Sequence, residues 1–228
     1  LGWMAAREAQ RKGIPWAVEV VGDTWDAYWN YGGITGKMYA PVAWWHARHW
    51  IGQADFAIYV TREILQRRYP CRGFIGNASN VEICPVDSGV LDQKKARWQS
   101  IPSDPAKPLA VGMIGSLFNR YKGLHVALRA LRRLKARGIP LELHVLGDGK
   151  LNRWHQEAGS LGVADLLHLD GSLPGGEPVM QWLDKLDFYI QPSFQEGLPR
   201  ALIEAMSRGL PALGSTCGGI PELLPPEC

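Results

Sequence analysis

The sequence predicts an α/β fold made of two Rossmann-like parallel-sheet domains, the N-terminal one incomplete. Three observations carry this: short apolar runs recurring along the chain, helical segments between them, and a proline-rich interruption between residues 84 and 108. Strands alternating with helices at this spacing need crossover connections, and crossovers build parallel sheets. With 228 residues, 46% of them apolar and 21% charged, the chain has globular composition and can bury real cores.

Residues 2–12 are helix formers and end at Lys12-Gly13, a basic last turn before a glycine stop. Trp16–Val21 is a short β-rich run closed by Gly22-Asp23. Gly32, Gly33 and Gly36 then punctuate a loop, and a helix is expected over 38–52. Asp55–Val60 is nearly continuous and apolar, as a buried parallel strand should be. Thr61 can cap the next helix, whose inner face carries Ile64, Leu65 and Tyr69, and Pro70 ends it. The regular beat resumes with a strand at Leu109–Ile114 and a helix at Lys122–Arg137 that lines up Leu124, Leu128, Leu131 and Leu134. A strand at Leu141–Leu146, the turn Gly147-Asp148-Gly149 and another helix follow. Further short strands are expected at Leu166–Leu169, Phe188–Gln191 and Pro211–Leu213. This divides the chain into a partial domain at 1–86, a linker at 87–107 and a second domain at 108–228. The pattern starts inside a helix at Leu1 and stops just after Pro225-Pro226, so both ends of a longer chain are expected to be missing.

Several function classes are disfavoured at once. Lys plus Arg number 25 against 22 Asp plus Glu, a net charge of +3, which gives no electrostatic case for nucleic acid. No apolar run approaches the ~20 residues that span a bilayer. Cys71, Cys84, Cys217 and Cys228 form no CxxC pair, and the six histidines are dispersed without ligand spacing. No metal site is therefore expected, and the thiols read as reduced ones in a cytoplasmic protein.

Ligands of open α/β sheets bind beyond the carboxyl ends of the strands, so the loops after the strands of the second half are the informative ones. Gly115-Ser116-Leu117-Phe118-Asn119-Arg120-Tyr121-Lys122-Gly123 follows the first strand. Its glycines allow close backbone approach, and Arg120 and Lys122 place two cations at a helix start where an anion is already favoured. A diphosphate suits that environment; solvated basic side chains on an ordinary turn would look the same. The spacing is not GxGxxG, so a dinucleotide fingerprint is not supported. Gly147-Asp148-Gly149 alone reads as a common turn. Residues 192–206 are richer: Glu196 and Glu204 lie eight apart around Gly197-Leu198-Pro199-Arg200-Ala201, with Pro199 suited to a first helical position. An ionised carboxylate accepts two hydroxyl donors, which matches the vicinal diol of a ribose or hexose. A dipole role for Glu196 and a solvated face for Glu204 is the bland alternative.

The ordered set is what identifies the chain. Lys122-Gly123, the Leu146-Gly147-Asp148-Gly149 turn, the E-x7-E element from Glu196 to Glu204 and Gly218-Gly219-Ile220-Pro221-Glu222 together resemble the donor domain of GT-B glycosyltransferases of family 4. The first half, with Val60-Thr61-Arg62 and Ala78-Ser79-Asn80-Val81, is similar to the later part of their acceptor domain. The resemblance implies a retaining transferase that moves a hexose from a nucleotide diphosphate sugar to a glycan or lipid-linked saccharide, with no cofactor and no metal. Lys122, with Arg120, would bind the diphosphate and stabilise the leaving nucleotide, while Glu204 would hold the ribose and Glu196 the transferred sugar. Gly115 and Ser116 would line the phosphates, Gly171, Ser172 and Leu173 the base. Amides of Gly197, Leu198, Arg200 and Ala201 would contact sugar and phosphate.

Two departures bear on activity. Many members carry Arg where this chain has Ser116, and many carry a His-Asp pair where it reads Gly22-Asp23, which leaves Asp23 or Asp26 to fill part of the histidine's role. A non-catalytic sugar-nucleotide-binding domain and a GT-B nucleotide-sugar epimerase are the rival readings. Seven of the ten tryptophans precede residue 51 and can stack on a sugar acceptor or simply pack. The helix at 126–137 carries five basic residues and no acid, so it can rest on the anionic inner face of a membrane or serve as a solvated face.

Overall fold

The computed structural model describes residues 2–31, 33–83, 85–100 and 107–225. It divides into two compact units. The described residues of the first lie in Leu1–Asn80, Phe194–Pro199 and Thr216–Cys228, and those of the second in Val81–Ser193 and Arg200–Ser215.

The first unit opens with α1 (Gly2–Lys12), β1 (Ala17–Val20), α2 (Thr24–Tyr31) and α3 (Gly33–Ile51). It continues with β2 (Phe56–Tyr59), α4 (Ile64–Arg68) and β3 (Phe74–Asn77), and α10 (Ile220–Leu223) returns to it. Its three strands run parallel in the order β1-β2-β3. Val20, Ala57, Tyr59, Val60, Leu65 and Tyr69 form its core. Helix α4 starts two residues later than the capping argument expects: Glu63 is its N-cap, while Thr61 Oγ1 still accepts the Leu65 amide at 3.1 Å. The glycine-punctuated loop of the sequence reading is instead two helices. Gly33 lies in the left-handed region at φ 57 and separates them. Gly36 is a packing glycine, because a β-carbon there would sit 2.5 Å from the Tyr28 carbonyl oxygen.

The second unit contains α5 (Ser88–Ser100), β4 (Leu109–Ile114), α6 (Leu124–Ala136), β5 (Leu141–Leu146) and α7 (Leu151–Ser160). A 3-10 turn at Ala164–Leu166, β6 (Leu167–Gly171), α8 (Glu177–Asp184), β7 (Phe188–Gln191), α9 (Arg200–Ser207) and β8 (Ala212–Gly214) complete it. Its sheet is all parallel, in the order β6-β5-β4-β7-β8. Counted within the sheet, that is the 3-2-1-4-5 order of a doubly wound fold. The leucine stripe of α6 (Leu124, Leu128, Leu131) meets Val111, Met113, Leu143 and Val145 of the sheet and Trp154 of α7. Trp154 is fully buried, and its indole N–H donates to the Leu117 carbonyl at 2.8 Å.

Two boundaries differ from the sequence reading. Residues 88–100 are a helix, where a linker over 87–107 was expected; residues 101–106 of that stretch lie outside the described residues. The α5 helix has no apolar stripe and is held by polar contacts. Lys94 is buried and donates to the carbonyls of Leu183, Asp184 and Leu186 at 3.1, 2.6 and 2.7 Å, and Arg97 pairs with Asp187. The segments 194–199 and 216–225 group with the first unit rather than with the second half of the chain. Close backbone packing and the Glu222 carboxylate do this, as described below. Cys71 and Cys217 are free thiols, while Cys84 and Cys228 lie outside the described residues. Among the described residues no helix is long and apolar enough to cross a membrane.

Candidate functional site

In the second unit β4 and β7 are neighbours although three helices and two strands separate them in sequence. Strand order reverses between them, so the crevice beyond their carboxyl ends is the topological switch point. The two loops that leave those strands meet there. Gly123 has φ 82, and a side chain on it would collide with the Pro192 carbonyl. On the other flank Gly115 makes room for its own loop: a β-carbon would lie 2.8 Å from Cγ of Lys122. The Lys122 stem therefore lies across the end of β4, with Nζ 5.2 Å from the centroid of the Tyr121 ring. Arg120 is placed differently from its expected phosphate role. Its guanidinium is ion-paired with Glu157 of α7 at 2.7 Å, so a diphosphate would have to compete with that carboxylate.

The predicted loop glycines come together at the ends of β4, β5 and β6. Gly115 N–H donates to the Leu146 carbonyl at 3.0 Å, and Gly147 N–H to the Gly171 carbonyl at 2.5 Å. Leu117 N–H donates to the Asp148 carbonyl at 2.8 Å. A side chain at Gly147 would strike the Gly115 carbonyl, and one at Gly149 the Leu117–Phe118 backbone. The Gly-Asp-Gly turn is thus a packing device that fixes the first loop. Gly171, at φ 75, turns the chain out of β6, leaving Ser172 and Leu173 exposed beyond the strand ends.

Past β7, α9 begins at Arg200, one residue after Pro199, and its first-turn amides lack intrahelical acceptors. Glu204 is half-buried, and burial raises its pKa above the ordinary value of 4.5, with Arg200 pulling it back. Sequence reasoning missed the buried polar relay that holds this strand end. Tyr189 Oη donates to Gln191 Oε1 at 2.8 Å, Gln191 Nε2 to Ser193 Oγ at 2.9 Å, and Ser215 Oγ to the Ser193 carbonyl at 2.6 Å. The Ile114 N–H donates to Tyr189 Oη at 3.3 Å, which ties β4 to β7 at the switch point. Its signal was available: positions 189, 191 and 193 are polar on one face of an otherwise apolar strand end.

Glu196, Gly197 and Leu198 belong to the first unit. There Glu196 is buried, and Leu198 packs on the core of Val20, Tyr59 and Leu65. A side chain at Gly197 would collide with the Val21 carbonyl, and one at Gly218 with the Glu196 carbonyl. Gly219 N–H donates to the Gly197 carbonyl at 2.6 Å. These approaches bring the Gly22-Asp23 loop beside Glu196-Gly197. Asp23 is fully engaged, however. It is buried, ion-paired with Arg68, accepts the Tyr69 hydroxyl at 2.8 Å, and accepts the Asp26 N–H at 3.2 Å at the start of α2. A structural role fits it better than the histidine's. Burial first and Asp23 second raise the pKa of Asp26 from its ordinary value, with Arg68 pulling it back. Gly22 is not forced by packing, since an added β-carbon would meet nothing within 4 Å. The Glu222 carboxylate accepts the N–H groups of Arg62, Glu63 and Ile64 at 2.6, 3.1 and 2.9 Å, anchoring the Gly-Gly-Ile-Pro-Glu segment to the start of α4.

The histidines are not all dispersed in space. His144 and His168 are cross-strand partners on β5 and β6 whose rings stack at 4.4 Å, and with Glu142 they could hold a metal ion. Register between two strands 24 residues apart was invisible to the spacing argument.

Comparison with known proteins agrees with this architecture. Residues 108–227 match the family model described as glycosyl transferases group 1. Protein CapJ of Staphylococcus aureus is 34% identical over 219 residues, 96% of this chain and 53% of that protein. The putative colanic acid biosynthesis glycosyltransferase WcaL of Salmonella typhimurium is 35% identical over 144 residues, covering 59% of this chain and 34% of WcaL. The chain thus spans about half the length of CapJ and a third of WcaL. The crystal structure of Anabaena HepE in complex with UDP and glucose superposes with a TM-score of 0.69 at 18% identity, over 96% of this chain and 57% of HepE.

Proposed function

The chain belongs to the glycosyl transferases group 1 family, with the GT-B architecture, and from that premise we propose that it moves a hexose from a nucleotide diphosphate sugar to a hydroxyl of a glycan or lipid-linked saccharide. One observation carries the reading: Lys122, the start of α9 and Glu204 follow the two strands that flank the switch point of a 3-2-1-4-5 sheet. Lys122 neutralises the diphosphate and the charge that builds on the leaving nucleotide, while Glu204 accepts the ribose hydroxyls. Gly115, Ser116 and the amides of Arg200 and Ala201 contact phosphate, Gly171, Ser172 and Leu173 line the base, and Glu196, Gly197 and Leu198 hold the transferred sugar. Arg120 joins Lys122 once it leaves Glu157. These cations replace a metal at the donor, and transfer proceeds with retention of configuration. UDP is the first nucleotide to test because HepE binds it, and the WcaL relationship favours a polysaccharide acceptor. The cytoplasm, at the inner face of the membrane, is the compartment that this chemistry and a lipid-linked acceptor suit.

Calorimetric titration of UDP, GDP and ADP into the chain and into Glu204→Ala tests the reading. One nucleotide should bind, and the variant should weaken it by about 1–3 kcal/mol. A folded chain that binds none of the three overturns it. A second reading, sugar-nucleotide binding without catalysis, is favoured by Gly22 and by the engagement of Asp23. Nucleotide binding without sugar transfer in the full-length protein would establish it.

A further inference from the structure

We propose that the edge of the second sheet carries a binding site for a divalent transition-metal cation of the zinc type, formed by Glu142, His144 and His168 and separate from the donor loops. Strand pleating puts residues i and i+2 on one face, and the parallel register sets His144 directly opposite His168. Glu142, His144, His168 and Asp170 therefore share one face of the β5–β6 pair. The opposite face carries Leu143, Val145 and Leu167 into the core beneath α6 and α7.

The ligand atoms converge. Glu142 Oε2 lies 3.8 Å from His144 Nε2 and 3.4 Å from His168 Nε2, and one ligand atom from each residue lies within 4.8 Å of the others. Tetrahedral zinc, with bonds of about 2.0–2.1 Å, separates its ligand atoms by about 3.3 Å, so the distances suit the ion. The two rings, now 12° from parallel, must tilt out of their stack to aim both lone pairs at it. Two borderline imidazoles outnumber the one hard carboxylate, a set suited to zinc rather than to magnesium or calcium. All three side chains are partly exposed, so the site lies near the surface, with His168 Nε2 itself turned inward.

A supporting shell is already built. His144 Nδ1 stands 3.4 Å from Asp170 Oδ2, which also accepts the Trp182 indole N–H at 2.7 Å. With Nδ1–H directed at Asp170, the lone pair of His144 lies on Nε2, towards Glu142. This is the carboxylate–histidine–metal arrangement that fixes tautomer and ring orientation. His168 Nε2 is a buried atom without a hydrogen-bond partner in the structure. With its lone pair on Nε2 this contact with the carboxylate is repulsive, and either the Nε2–H tautomer or a bound cation relieves it. A proton serves one nitrogen at a time, whereas a metal ion engages all three ligands. The site would pin the edge strand β6 to β5 just before the turn at Gly171.

The test is calorimetric titration of Zn2+ into the tag-free, chelator-stripped chain, with Mg2+ as control and circular dichroism to verify folding. One equivalent of Zn2+ should bind and Mg2+ should not. His168→Ala, at a side chain 40% exposed, should fold normally and lose at least about tenfold in affinity, and Asp170→Asn should lose about 10–100-fold with every direct ligand intact. Zn2+ should also raise the thermal midpoint of the wild type and not of His168→Ala. No uptake by the folded wild type, or equal affinity in His168→Ala, overturns the proposal and leaves a proton as the occupant.

Discussion

Glu204 is the residue on which the donor reading turns, because its charge state and its proposed task are linked. Only the ionised carboxylate can accept from both hydroxyls of a ribose, and burial raises its pKa above the ordinary 4.5. The protonated form therefore persists to higher pH than for a solvated glutamate. Nucleotide affinity should fall as pH is lowered through that raised value, before ordinary carboxylates titrate, and the fall should be absent in Glu204→Gln. Calorimetry at a series of pH values from 7.5 downward checks this; equal pH dependence in wild type and variant would remove Glu204 from the site. Gly123 makes a complementary case, since it follows Lys122 and meets the loop after β7 with backbone alone. At φ 82 and against the Pro192 carbonyl, a Gly123→Ala side chain has no room. It should cost about 1–3 kcal/mol of stability, from strain and displaced packing, read by urea unfolding, and lower nucleotide affinity by moving Lys122.

At the scale of elements, α5 shows a helix made by polar contacts rather than by an apolar stripe. Lys94 closes the carboxyl end of α8 with three hydrogen bonds, and burial pushes its ammonium pKa from 10.5 down to about 8. Lys94→Met should cost about 3 kcal/mol, because three carbonyls lose their donor. The pH dependence has a definite sign. Between about 8 and 10.5 the unfolded chain holds a proton that the folded chain has shed, so wild-type stability rises with pH across this window. The cost of Lys94→Met should therefore grow from pH 7.5 to pH 9.5 in urea unfolding. This helix also marks where the sequence was legible and where it was not. β4, α6, β5 and β7 could be read from apolar periodicity, and the loops that meet at the switch point from glycines placed after strands. Helix α5 carries no such periodicity, and β3 (Phe74–Asn77) is a four-residue strand with every side chain exposed. The Tyr189–Gln191–Ser193 relay lay in the i, i+2 spacing of one strand end, whereas the Glu142–His144–His168 cluster depends on which strands become neighbours. Strand order is a tertiary result that local pattern does not encode.

At the scale of the molecule, the two units have unequal cores. The second has a five-stranded sheet and a continuous core from Val111 to Leu167. The first has three short strands, and Phe56, Ile58, Phe74 and Ile75 remain exposed on them. Less apolar burial per ordered residue means less net stability, so the first unit should unfold at lower temperature or denaturant, and the chain should depart from two-state behaviour. Two substitutions can assign the transitions because each acts inside one unit. Glu222→Gln removes a charged acceptor from the amides of Arg62, Glu63 and Ile64, and should lower the earlier transition by about 1–3 kcal/mol. Lys94→Met should lower the later one and leave the earlier in place. Hydrogen exchange followed by mass spectrometry can read both: Glu222→Gln should accelerate exchange in β1 and β2, and Lys94→Met in β4 and β7. If either variant accelerates both sets equally, the units unfold as one cooperative block, and the unequal-core argument fails.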